Sequence, residues 1–189
     1  MESQSIDSLA HDFCDEINIE KLQKLPKEKV MQEMSAINTK FYTEHQKEVN
    51  EIYNQIRNED KSLNEKQVNK QYMLLLIETI FNTCPKYNQL VLLQMNACPK
   101  ENEALQIFKN EITNFIQLQR GKIGWLELRN RIVEKIADIS IENEELIAKY
   151  YTKGIFEPNF DTIIITYLSY RVPEYLMVLS LSEIEKMYQ

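Results

Sequence analysis

Apolar residues recur at helical spacing along almost the whole chain, which is the primary signal for amphipathic α-helices. Ile6, Leu9, Ala10, Phe13 and Ile17 predict a short helix over residues 6–17, followed by a linker over 18–25. Pro26 suits the first turn of a longer helix, because its missing N–H is one that a helix start leaves unpaired anyway. That helix, near residues 27–58, has the clearest stripe: Val30, Met34, Ile37, Phe41, His45, Val49, Ile52 and Ile56. Positions 30, 41 and 52 repeat every 11 residues, as do 34, 45 and 56. Eleven residues in three turns lie close to the natural period of a straight helix, so one long, nearly straight helix is expected there.

Ser62-Leu-Asn-Glu65 has the form of a capping box and predicts a further helix start. The run Met73–Ile77 is apolar on most faces and marks the expected centre of the core. Pro85 disfavours helical geometry at Cys84, so this helix should stop there. Further helical patterns cover 86–97, 101–120 and 125–139, with Gly121 and Gly124 as a break. Ser140 is a candidate cap for a helix running to Tyr151, closed by Gly154. Residues 156–160 read as a loop, and the β-branched run 162–167 could form a strand. Helix is the preferred reading, since Asp161 is a good N-cap and a lone strand would have no partner. Pro173 and Ser182 then begin two short helices.

These elements predict an all-α fold, a bundle of about six to eight helices forming a single helical domain over residues 1–189. Only 3 Gly and 5 Pro in 189 residues argue against a turn-rich sandwich or barrel. At this length, with 43% hydrophobic and 27% charged residues, one core is the default. A net charge of −7 with no dense run of Lys or Arg argues against nucleic acid as a partner. No stretch reaches the roughly 18–20 apolar residues needed to span a bilayer. The N-terminal residues lack the pattern of an export signal, so none is expected within this chain.

Asn-x-Cys-Pro-Lys-x-Asn occurs twice, at residues 82–88 and 96–102. If residues 86–97 are helical, Cys84 and Cys98 lie about 20 Å apart at 1.5 Å rise per residue. That exceeds the roughly 7 Å limit for a disulfide, and it also excludes one shared zinc. Each repeat is then read as the end of one helix and the start of the next. A disulfide between Cys14 and either Cys84 or Cys98 is the sharper alternative. His11, Cys14 and Asp15 share a helix face but lack a fourth ligand, so no metal is expected. His45 reads as a structural histidine within the stripe.

No nucleophile elbow, P-loop or dinucleotide-binding glycine pattern occurs, and two histidines leave little room for His-based catalysis. No catalytic residue and no cofactor are expected. Tyrosines are concentrated towards the C-terminus, and Tyr is enriched at interfaces because it combines a large ring with a hydroxyl that tolerates water. Tyr150, Tyr151, Tyr167, Tyr170 and Tyr175 therefore form a candidate interaction surface, with residues 155–189 as a Tyr-rich subregion.

Phe13-Cys14-Asp15-Glu16-Ile17, the amphipathic helix after Pro26 and Ile80-Phe-Asn-Thr-Cys-Pro-Lys-Tyr87 together resemble uncharacterised exported helical proteins of Bacteroidetes bacteria. The resemblance covers about the first 90 residues. It implies an envelope or secreted location, ahead of a cytoplasmic one, and no activity. The function expected is that of a non-enzymatic helical binding protein for another protein or a small apolar ligand. Two alternatives stand beside it: an acidic inhibitor or immunity-type protein that neutralises a basic partner, and an enzyme using scattered carboxylates.

Overall fold

The structure is a computed structural model that describes residues 2–151, 153–157 and 159–189, with side chains from Ile6 onward. Thr152 and Pro158, the latter within the expected loop 156–160, lie outside the described residues. The fold is all-α: among the described residues there are eleven α-helices and one 3-10 turn, more than the six to eight expected. None of the helices is long and apolar enough to cross a membrane. Where one core is expected the chain has two, in compact units formed by Met1–Gln94 with Ile184–Gln189 and by Met95–Glu183.

The first unit contains α1 (Glu2–Glu16), α2 (Ile19–Leu22), α3 (Lys27–Glu44), α4 (Gln46–Glu59), α5 (Glu65–Thr83) and α6 (Pro85–Leu93). Helix α1 packs on α3, α4 and most extensively on α5, and it buries Ile6, Leu9, Ala10 and Phe13, with Ile17 buried just after its end. The sequence stripe supplies the facing residues: Val30 and Phe41 from α3, Ile52 and Ile56 from α4. The long helix expected over 27–58 is interrupted at His45, whose φ of −105° and ψ of 21° end α3 and start α4. An 11-residue repeat is satisfied equally by two helices in register, so periodicity alone could not exclude the break. On α5 the buried row is Val68, Tyr72, Leu76 and Ile80, four residues apart. The Met73–Ile77 run is therefore not the core centre, and Leu75 within it is 48% exposed.

Capping also departs from the expected box. Asn64, not Ser62, caps α5: its side chain accepts from Gln67 N–H, and the Gln67 side chain accepts from Asn64 N–H. Ser62 is instead held by Asp60 Oδ1, which accepts from both its backbone N–H (2.9 Å) and its hydroxyl (2.6 Å). A local Asp–Ser turn thus displaces the helix start by two residues.

The second unit contains α7 (Glu103–Gln119), α8 (Trp125–Glu142), α9 (Glu144–Tyr150), the 3-10 turn η1 (Gly154–Phe156), α10 (Phe160–Arg171) and α11 (Pro173–Met187), up to Glu183. Helix α7 is its centre: α8, α9 and α10 all pack on it, and it buries Leu105, Phe108, Ile112 and Ile116. The 162–167 run lies inside α10 and is helical. Ser140 does not start a helix, because its hydroxyl donates back to Ile136 O (2.8 Å) within α8, and the break falls at Asn143. Pro173 starts one helix rather than two, and Ser182 is buried inside it with its hydroxyl on Leu179 O.

Candidate functional site

The cysteines separate in role. Cys14 of α1 and Cys84, between α5 and α6, form a disulfide with Cα atoms 5.6 Å apart, and Lys86 Nζ donates to Cys14 O (3.2 Å) beside it. This commits Cys14 and removes it from any metal set with His11 and Asp15. Cys98 keeps a half-buried thiol directed at Pro99 O. Residues 86–97 are not one helix, since α6 ends at Leu93 and α7 begins at Glu103. The first Asn-x-Cys-Pro-Lys therefore does end one helix and start the next, whereas the second lies in the non-helical stretch between α6 and α7. Pro99 ends no helix there. His45 packs its ring on Phe41 at 4.7 Å between centroids.

The five tyrosines do not share a surface, which corrects the expectation. Tyr167 is fully buried and donates to Glu101 Oε2 (2.7 Å). Tyr175 is 2% exposed, and burial pushes its pKa up to about 12 against the lowering influence of Arg129. Their helices α10 and α11 contribute these side chains to the second core, where a ring is useful as filling and one hydroxyl partner suffices. Tyr151 packs on Phe160 and accepts from Asn102 Nδ2 (3.2 Å), and Tyr170 is half-buried. Tyr150 is exposed and lines a shallow polar cleft with Lys100, Glu101, Asn102, Glu103 and Gln106. Glu101 is occupied structurally there: hydrogen bonds from Tyr167 and Gln106 hold its carboxyl below the ordinary value, with Arg171 adding to the effect.

A different surface carries the site. Helices α8 and α10 both pack on α7, and between them lies an apolar groove of about 420 Å³. Val133, Ile136, Ala137, Ser140 and Ile141 of α8 form one wall; Ile165 and Asp161 of α10 form the other. Ile155 of η1 lines it as well, and buried Phe160 and Tyr175 supply the floor. Val133 is 58%, Ile141 68% and Ile165 39% exposed, so much of the wall faces solvent. The hydroxyl of Ser140 is already committed to Ile136 O, which leaves Asp161 as the charged group on this lining.

The groove was readable in part. The stripe Leu128, Ile132, Ile136 and Ile139 accounts for the core face of α8, with Leu128, Ile132 and Ile139 fully buried. Val133, Ala137 and Ile141 recur every four residues on a second face of the same helix. Two apolar stripes on one helix signal two burying surfaces, and among the described residues the second is left largely exposed at Val133 and Ile141. No protein-family model matches the chain, nor does any curated protein or solved structure.

Proposed function

We propose that this chain is a non-enzymatic helical binding protein whose site is the α8–α10 groove. The observation that carries the reading is the exposed second stripe of α8 facing Ile165 across a concave floor of Phe160 and Tyr175. Isolated exposed apolar residues are ordinary on protein surfaces, but a contiguous concave group of them marks a binding site. Its volume falls in the range that holds a small ligand or a few partner side chains. The polar cleft at Tyr150 supports an enzymatic reading less well, since Glu101 within it is engaged by Tyr167 and Gln106. The Cys14–Cys84 pairing supports a location outside the cytoplasm, because disulfides persist in oxidising compartments.

Nile red, an uncharged dye that brightens in apolar surroundings, tests the groove. Native protein should give saturable emission, and Ile141→Asn should reduce it at least about threefold while leaving the circular dichroism unchanged, since a polar group on that wall removes the apolar contact. Equal emission from Ile141→Asn, Val133→Asn and the parent protein would refute the site.

A further inference from the structure

We infer that the first unit holds a separate binding site, a cavity lined by α1, α3, α5 and α6 that takes a neutral single-ring phenol. Helix α1 packs on both α3 and α5, and α6 packs on α5. Residues of these four helices enclose a cavity of about 130 Å³. Size is the first constraint on its occupant. A cavity of about 150 Å³ lined by aliphatic and aromatic side chains takes up benzene, whereas sites for drug-sized ligands begin at about 300 Å³. One six-membered ring with a small substituent therefore fits, and an acyl chain or a row of anchors from a partner helix does not.

The lining decides the character of the ring. Phe13, Phe41, Tyr42 and Tyr87 all face the cavity, and they are linked edge to face, Phe13 to Phe41 at 5.2 Å, Phe13 to Tyr87 at 6.0 Å and Phe41 to Tyr42 at 5.9 Å between centroids. Such contacts are favourable because the positive edge of one ring meets the negative face of the next, and a bound ring extends the series. Met34 and Met73 add sulfurs to the lining, which also favour aromatic contacts. Tyr42 donates to Met73 Sδ (3.3 Å), which joins α3 to α5 on one side of the cavity. Among the described residues no Asp, Glu, Lys, Arg or His lines it. An ionised ligand would lose its hydration there without gaining a counter-charge. Two lining side chains do offer hydrogen bonds: the hydroxyl of half-buried Tyr87 and the amide of exposed Asn38 have no hydrogen-bond partner among the described residues. A phenolic hydroxyl can pair with either, and pairing removes the cost of a polar group left alone in an apolar wall.

The test uses the full chain with para-cresol as the probe, followed by calorimetry and by the methionine methyl signals in NMR. The probe should bind saturably, and of the seven methionines Met34 and Met73 should show the largest methyl shifts, since the bound ring lies against them. Benzoate, of similar size but charged, should bind at least about tenfold more weakly. Cyclohexanol keeps the hydroxyl without the aromatic ring, and toluene the ring without the hydroxyl; each should bind at least about threefold more weakly. Ile77→Phe and Met34→Phe each put a protein ring into the space, and each should weaken the probe at least about tenfold with the circular dichroism unchanged. Ile141→Asn, in the α8–α10 groove, should leave binding as it is. No saturable binding, or methyl shifts spread evenly over the methionines, would overturn the inference, as would binding untouched by a filling variant that keeps its fold. Binding lost in Ile141→Asn would overturn it by placing the ring in the groove. Cyclohexanol or toluene binding as tightly as para-cresol would overturn the choice of a phenol.

Discussion

Buried tyrosines in this protein differ by whether the hydroxyl finds a partner. Buried Tyr167 reaches Glu101, and half-buried Tyr53 donates to Asn69 Oδ1, so both hydroxyls are satisfied. Tyr72 is fully buried in the first core and packs against Tyr53 at 4.8 Å, and its hydroxyl, though beside that of Tyr42, makes no hydrogen bond of normal geometry among the described residues. Burial, with neighbouring Tyr42 and Tyr53 adding to it, pushes its ionisation well above the ordinary tyrosine range. The neighbouring Tyr42 hydroxyl donates to Met73 Sδ (3.3 Å). Desolvating an unpaired hydroxyl costs about 1–3 kcal/mol. Tyr72→Phe should therefore leave stability in urea unchanged or raise it by about 1 kcal/mol, whereas Tyr167→Phe should lower it. A loss of more than about 1 kcal/mol in Tyr72→Phe would show that the hydroxyl is engaged in the native state. None of this was legible from sequence. A tyrosine's ring and hydroxyl suit core and surface alike, and the Glu101 that separates the cases lies 66 residues from Tyr167.

At the scale of elements, helix identity followed from periodicity, and helix ends followed from contests between nearby polar residues. Asp60 captured Ser62 and left Asn64 to cap α5. Asn143, whose side chain donates to Ile139 O (2.9 Å), divided α8 from α9 where Ser140 was expected to. Each alternative was present in sequence within three residues of the site that won. Helix α1 shows what distant contacts add. Its apolar face is buried against α3, α4 and α5, and the disulfide ties it to the end of α5 across 70 residues of chain. Closing a loop of that length stabilises by about 4 kcal/mol in the chain-entropy account, and measured values run somewhat lower. Replacing both partners, as Cys14→Ala with Cys84→Ala, should cost about 2–4 kcal/mol in urea unfolding. The helical content should be retained at low denaturant, because Leu9, Ala10, Phe13 and Ile17 still seal α1. A variant as stable as the parent would mean that the bond adds nothing to the packed helix.

For the whole molecule, the relevant fact is that two apolar clusters form separately, one around α1 and α5 and the other around α7. The disulfide lies within the first unit. Trp125, the chain's sole tryptophan, lies in the second unit under the guanidinium of Arg120, 6.0 Å from its ring centroid. In the double Cys→Ala variant the first unit should therefore unfold at lower urea than the second. The midpoint by circular dichroism should precede the midpoint by Trp125 fluorescence, a mismatch that two-state unfolding forbids. Coincident midpoints would mean that the units unfold as one. The sequence by itself determined the all-α class, the amphipathic face of most helices and the stops at Cys84-Pro85 and Gly121, because spacing, proline and glycine act over a few residues. It also held the second stripe of α8. Only the tertiary structure decided which apolar residues were left exposed, which cysteine Cys14 reached, and that Tyr167 and Tyr175 went inward. Those outcomes depend on which helix faces meet, and helical periodicity records a face without recording its partner.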